Sequence, residues 1–409
     1  MKHFIKRYVK VALALSFTCV LLLMSCMEVF ASTIQYEISN TDVTPIANES
    51  EIDITAQAAV LMEGSTGKVI YSKNANQELR PASITKIMTL LLIFEAIESG
   101  QITLTDSVPV SEHAASMGGS QVYLEPFETQ DVNTMIKCIS IASANDASVA
   151  MAELIAGSEE AFVKKMNERA KELGMMNTNF VNCYGLDTDN HYTSAMDVAL
   201  MSKELIMNHP QISNYSTVWM DTFIHTTKKG QSEFGLTNTN KLIKSYQGIT
   251  GLKTGSTGLA KYCLSATARR DNMDLIAVVM AAPDTKTRFA EATKLLNYGF
   301  ANCSIYKDTG EGLVFPNVFV KKGDIDEVPT KVNGTFSYLC TNGMNPADIT
   351  KDIKVMPECI APIKENDVVG QITYYYNGNE IGTLPLVASS PVGKAGYVDY
   401  FMKLIFKYF

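Results

Sequence analysis

Two rhythms of apolar residues alternate along this chain of 409 residues. Short runs at 58–62 and 68–71 read as strands, joined by a turn between Gly64 and Gly67. From Ser83 to about Glu98 the pattern is helical. Its run Leu90-Leu91-Leu92-Ile93-Phe94 is apolar nearly all round, which predicts a central, buried helix stopped at Gly100. Helical patterns recur around 131–156, 159–173, 194–208 and 286–300. Between the last two, 252–254, 262–269 and 273–281 read as consecutive strands, and Leu275-Ile276-Ala277-Val278-Val279 suits a central one. Strands at both ends with helices between them predict an antiparallel sheet covered by helices.

After about Tyr306 the pattern becomes short strands and turns. Residues 372–376, then Asn377-Gly378, then 381–386 read as a hairpin with a favoured turn dipeptide. This predicts a second, all-β domain, followed by a linker at Ser389-Ser390-Pro391-Val392-Gly393. In the final stretch Asp399, Lys403 and Lys407 recur every four residues and share one helix face. Tyr397, Val398, Tyr400, Phe401, Leu404, Ile405, Tyr408 and Phe409 cover the rest. Such a wide apolar arc, edged by lysines, fits a membrane interface. The alternative is a terminal helix packed on its own protein.

The amino end sets the compartment. Lys2, Lys6, Arg7 and Lys10 precede an apolar stretch at 11–24, shorter than the roughly 20 residues that span a bilayer. Val29-Phe30-Ala31 offers a signal-cleavage site before Ser32, and Leu23-Met24-Ser25-Cys26 offers lipidation of Cys26 instead. Either way the chain is exported. The expected organisation is a signal peptide at 1–31, a polar extension at 32–54, a catalytic domain at 55–305, a β-rich domain at 306–388, and a linker with amphipathic anchor at 389–409. The net charge of −8 and the absence of a basic stripe argue against nucleic acid as a partner. Beyond Cys26, six cysteines follow (Cys138, Cys183, Cys263, Cys303, Cys340 and Cys359) without a CxxC or zinc-like cluster. Buried free thiols suit most of them, and a Cys340–Cys359 bridge stays open in an exported chain.

Three short motifs carry chemistry. In Pro81-Ala82-Ser83-Ile84-Thr85-Lys86, Ser83 and Lys86 sit one helical turn apart. A serine hydroxyl needs a nearby base, and a lysine desolvated by an apolar helix loses its proton near neutral pH. In Ser143-Ala144-Asn145, polar residues interrupt a small, apolar stretch and so need partners or a cleft. Ser143 suits proton relay, and Asn145 offers both donor and acceptor to a substrate amide. In Lys253-Thr254-Gly255-Ser256, Lys253 and Thr254 suit a terminal carboxylate, and Gly255 lets a ligand backbone approach along an edge strand. Each motif alone is weak: an N-cap serine with a surface lysine, a polar turn, or a glycine-rich turn reads as well.

Together, in this order and on these elements, the triple resembles the penicillin-recognising serine acyl-transferases. "PASITKIMT", "SANDAS", "GLKTGSTG" and "NCYGLDTDNHYTSAMDVALMSKELI" narrow the resemblance to low-molecular-mass penicillin-binding proteins of the D-alanyl-D-alanine carboxypeptidase type, from about Ala58 onward. The resemblance implies an α/β (α+β) catalytic domain of the serine β-lactamase/transpeptidase type. It also implies the small β domain and the amphipathic tail as membrane anchor, at 391–409 here. It further implies Ser83 as nucleophile, Lys86 as general base, Ser143 and Asn145 as the second wall, and Lys253 and Thr254 on the substrate carboxylate. The backbone N–H groups of Ser83 and Ser256 would form the oxyanion hole. Some relatives carry histidine at the position of Ser256 and arginine at that of Met196. The implied partners are peptidoglycan stem peptides ending in D-Ala-D-Ala, with β-lactams as inhibitors.

Rival readings lack their motifs. A D,D-endopeptidase or a serine β-lactamase would share the scaffold. The deacylating E-x-x-L-N of a class A β-lactamase has only a near miss, Glu204-Leu205-Ile206-Met207-Asn208. No cofactor or metal is expected, because none of His3, His113, His191, His209 and His225 forms H-E-x-x-H. His113 and His191 read as surface or loop residues.

Overall fold

The structure is a computed structural model that describes residues 52–341 and 343–408. The signal peptide, the Cys26 alternative and most of the polar extension lie outside the described residues.

A five-stranded antiparallel sheet organises the first part of the chain. Its order is Val69–Lys73, Ala58–Glu63, Met273–Ala282, Lys261–Arg270 and, at one edge, Ile249–Thr257. Successive side chains of a strand point to opposite faces. Ala58, Val60, Met62, Ile276, Val278 and Met280 therefore enter one core with the helices Lys86–Glu98, Val132–Ile141, Asn145–Ala156 and Ala195–Asn208. Ala59, Leu61, Leu275, Ala277 and Val279 enter the other core, against Leu295 and Leu296 of the helix Thr285–Asn302. Both faces are covered, which is why the central strand reads as one continuous apolar run.

The helical pattern at 131–156 is two helices, with Ser143-Ala144-Asn145 at the turn between them, where Ser143 takes φ 63°. One element differs from the sequence expectation. The helix expected from Ser83 begins instead as a 3₁₀ turn, Ala82–Thr85, and becomes α-helical at Lys86. The hairpin Met220–Thr227 with Gly230–Thr237 is an element the apolar pattern did not announce.

The helix Thr285–Asn302 runs directly into the strand Cys303–Asp308, which pairs with Phe336–Thr341. The region beyond is all β. Its four-stranded sheet contains the expected hairpin, Val368–Tyr376 with Asn379–Ala388, turning at Asn377 and Gly378 with positive φ at both. Stacked Phe336 and Tyr374 rings, 3.8 Å apart, centre its core. Cys340 and Cys359 do not bridge; all six cysteines among the described residues are free.

The terminal helix Tyr397–Tyr408 is fastened by its polar face. Lys403 donates to Gly323 O at 2.7 Å and pairs with Asp326, while Asp399 accepts from Gly396 N. Tyr397, Val398, Phe401 and Leu404 are left facing outward. No helix among the described residues is long and apolar enough to cross a membrane.

Candidate active site

The site forms where the Ala82–Thr85 turn meets the edge strand Ile249–Thr257. An added Cβ on Gly255 would lie 2.9 Å from Ser83 N, 3.0 Å from Ala82 Cβ and 3.0 Å from Ile84 N. Glycine is therefore required for the strand to lie against the nucleophile turn. On the side where a Cβ would stand, the neighbour of Gly255 is the Ser83 turn. Ala82 holds φ 50°, a left-handed conformation that costs a non-glycine residue energy and is held by its surroundings.

Ser83 is half-buried and Lys86 is fully buried. Lys86 Nζ donates to Asn145 Oδ1 at 2.6 Å, to Tyr184 O at 2.7 Å and to Ser83 Oγ at 3.3 Å. Burial pushes its pKa well below the ordinary lysine value, and the nearby charge of Lys253 adds to the effect. A neutral amine in contact with a serine hydroxyl can take its proton.

Asn145 opens the helix Asn145–Ala156, and its Nδ2 donates to Gly118 O at 2.6 Å. Beside it, the buried Asp146 carboxylate accepts from Val122 N and Leu124 N, tying the preceding loop to this helix start. Ser143 lies on the connection, and its buried hydroxyl finds no partner among the described residues. It makes no hydrogen bond to Ser83 or Lys86.

On the edge strand, Lys253 is buried and, among the described residues, donates only to Thr254 O, at 3.2 Å. Burial, with the charge of Arg288 behind it, lowers its pKa to about 7. Thr254 Oγ1 lies 2.6 Å from Thr239 Oγ1. Ser256 is exposed at the strand's end.

Several contributors escaped the sequence reading. Arg288 donates to Gly255 O at 3.0 Å and Cys263 O at 3.2 Å, bringing a third cation behind the strand. The loop before Ala195–Asn208 supplies a carbonyl, Tyr184 O, which has no side-chain signature. That loop is also held by Thr89, whose hydroxyl donates to Cys183 O at 2.5 Å. His191, read as a surface or loop residue, lies on a loop but is buried, 3% exposed, and burial lowers its pKa to about 4. Its Nε2 lies 2.9 Å from Thr85 Oγ1. His113 does lie at the surface, against Glu159. Glu204 is paired with Arg169 on the helix Ala195–Asn208.

A serine and a desolvated lysine on one turn, facing a cationic edge strand in a helix-covered antiparallel sheet, define a serine acyl-transfer enzyme. Residues 44–284 match the D-alanyl-D-alanine carboxypeptidase family, and residues 308–394 match the C-terminal domain of penicillin-binding protein 5. Over 351 residues the chain is 45% identical to D-alanyl-D-alanine carboxypeptidase DacF of Bacillus subtilis, covering 86% of this chain and 89% of that one. It is 34% identical over 370 residues to D-alanyl-D-alanine carboxypeptidase DacC of Escherichia coli, covering 87% and 89%. Penicillin-binding protein 5 from Haemophilus influenzae superposes with a TM-score of 0.70 at 31% identity, covering 84% of this chain and 98% of that one. The chain belongs to the D-alanyl-D-alanine carboxypeptidase family of low-molecular-mass penicillin-binding proteins, and it is a serine-type D-alanyl-D-alanine carboxypeptidase.

Proposed function

We propose that this carboxypeptidase removes the terminal D-alanine of peptidoglycan stem peptides through an acyl-enzyme on Ser83. The observation that carries this reading is the desolvated Lys86 amine, 3.3 Å from the Ser83 hydroxyl and anchored on Asn145. Neutral Lys86 takes the Ser83 proton while Oγ attacks the carbonyl carbon between the two D-alanines. The N–H groups of Ser83 and Ser256 receive the developing oxyanion. The C–N bond breaks, and the leaving amine takes a proton through Ser143, whose hydroxyl is unpartnered. Water then hydrolyses the ester and regenerates Ser83. Lys253 and Thr254 hold the substrate carboxylate, and Arg288 adds positive charge behind them. Asn145 holds a substrate amide once the ligand enters.

β-Lactams enter the same site as mimics of the dipeptide and deacylate slowly. A fast-deacylating reading is disfavoured by the pairing of Glu204, the carboxylate of the near-miss E-x-x-L-N segment, with Arg169. The enzyme works outside the cytoplasm, with its terminal helix lying in the membrane interface.

The test incubates purified protein with labelled penicillin and assays D-alanine release from an acyl-D-Ala-D-Ala peptide. A long-lived adduct on Ser83 with D-alanine release is expected. Label or product from a Ser83→Ala variant would sink the assignment, and an adduct lost within seconds would make the protein a β-lactamase.

A further inference from the structure

His191 and Thr85 form a chain of hydrogen bonds whose every proton has a fixed place. The Val181 N–H points at His191 Nδ1 at 2.9 Å. An amide only donates, so Nδ1 accepts and the ring proton resides on Nε2. That N–H donates to Thr85 Oγ1 at 2.9 Å, and the Thr85 hydroxyl donates to Ala82 O, also at 2.9 Å. The chain ends on the carbonyl of the peptide that joins Ala82 to Ser83. The other end of that same planar peptide is the Ser83 N–H. Ala82 is the residue with φ 50°, so its own conformational preference does not hold this peptide where it is.

A second contact presses on the same carbonyl. A Cβ on Gly185 would lie 1.9 Å from Ala82 O, so the loop carrying Tyr184 packs directly onto it. The loop that anchors Lys86 and the peptide that presents the Ser83 N–H are thus clamped at one atom.

We propose that His191 is a positioning residue: acting through Thr85, it fixes the Ala82–Ser83 peptide so that the Ser83 N–H is aimed at the developing oxyanion. This rests on the reading of that N–H as an oxyanion donor. A pre-aimed donor accelerates acylation without changing how the ground-state substrate binds. Loss of the strap lowers kcat and leaves KM nearly alone. A merely structural histidine would lower the amount of folded enzyme instead.

The test uses the full chain with His191→Ala, Thr85→Val, Thr85→Ser and the His191→Ala/Thr85→Val double variant. Acylation by labelled penicillin is timed, and kcat and KM are measured for an acyl-D-Ala-D-Ala peptide, per folded enzyme. His191→Ala and Thr85→Val are each expected to lower acylation and kcat by about 10- to 100-fold, short of the loss on deleting an oxyanion donor outright. The double variant should be no worse than the single ones, because both break one chain. Thr85→Ser, which keeps the hydroxyl, should restore most of what Thr85→Val loses. Unchanged kcat in either single variant, multiplying losses in the double, or a rise in KM alone would overturn the proposal. If His191→Ala does not fold, the Thr85→Val and Thr85→Ser pair decides the matter. Ser83→Ala is run alongside: label retained there defeats the acyl-enzyme reading, whereas unlabelled Ser83→Ala with unaffected strap variants defeats this inference alone.

Discussion

Asn145 Oδ1 lies 2.6 Å from Lys86 Nζ, closer than the Ser83 hydroxyl at 3.3 Å. The neutral amide orients the amine without fixing a proton on it. A carboxylate in its place would favour the charged lysine, since an opposite charge at that range raises a lysine pKa. Asn145→Asp is therefore expected to slow acylation at neutral pH and to move the acid side of its pH profile upward. Asn145→Ala removes the anchor and the bond to Gly118 O, with an expected loss of about 100-fold, in the range of a misplaced catalytic group. The rate of labelled-penicillin capture between pH 5 and 10 checks both. An unshifted profile in Asn145→Asp would count against Lys86 as the base.

Lys253 gives the opposite side of the profile. In the empty site it holds its proton only up to about pH 7, against an ordinary value of 10.5. A carboxylate is held by the charged form, so kcat/KM should fall as pH rises through about 7. Lys253→Arg keeps its charge at any such pH and should move that fall to higher pH. Stability carries the same signature with a definite sign. Between pH 7 and 10.5 the unfolded chain binds one more proton than the folded chain, so stability rises with pH, by about 1.4 kcal/mol per unit. Lys86, whose pKa burial also lowers, contributes a slope of the same sign. Denaturant unfolding of Lys253→Met should therefore show a shallower slope rather than none, and an unchanged slope would point to another group.

Gly255 faces backbone atoms rather than a flexible side chain. A methyl group there cannot be relieved by a rotamer change, so the edge strand must move off the Ser83 turn. Gly255→Ala is expected to cost about 1–3 kcal/mol, the usual range for overpacking. It should also lower acylation more than 100-fold while leaving the remote β region folded. Thermal unfolding and penicillin labelling measure the two effects. Normal labelling would show that the strand and turn are looser than their contacts imply.

The sheet was legible because its residues answer to one demand. Leu275–Val279 is buried on both faces. The equally long run Leu90–Phe94 lies in a helix, and what separates the two is the β-branched content of the first and the longer helical pattern around the second. The three motifs were legible because their side chains carry the chemistry. What stayed hidden depends on backbone. Tyr184 O and the φ of Ala82 and Ser143 leave no compositional mark. His191 offered no periodic signal, because its burial comes from packing of a loop onto Thr85. The hairpin strand Met220–Thr227 exposes Met220 and Ile224 on its outer face and buries only Phe223 and His225, so apolar residues fall on both sides and no clean alternation stands out. Gly255 is legible as part of a motif, yet its neighbour is set by the fold, which brings the Ser83 turn against the edge strand.

The terminal helix separates two uses of one amphipathic face. If it were a packing helix, its apolar arc would be turned inward. Instead Lys403, on the polar face, is the residue bound to Gly323 O and Asp326, and Tyr397 and Phe401 remain 97% and 63% exposed. Burying a large apolar side chain is worth about 1.5–3 kcal/mol, so four or five such residues entering an interface outweigh the cost of docking. The intact chain is expected to sediment with lipid vesicles, and deletion of residues 391–409 should leave it in the supernatant with carboxypeptidase activity intact. Phe401→Ser with Leu404→Ser should weaken sedimentation at least tenfold, whereas Lys403→Ala should retain it, since the apolar arc is untouched. A tail-less protein that still pellets with vesicles would assign membrane contact to another surface.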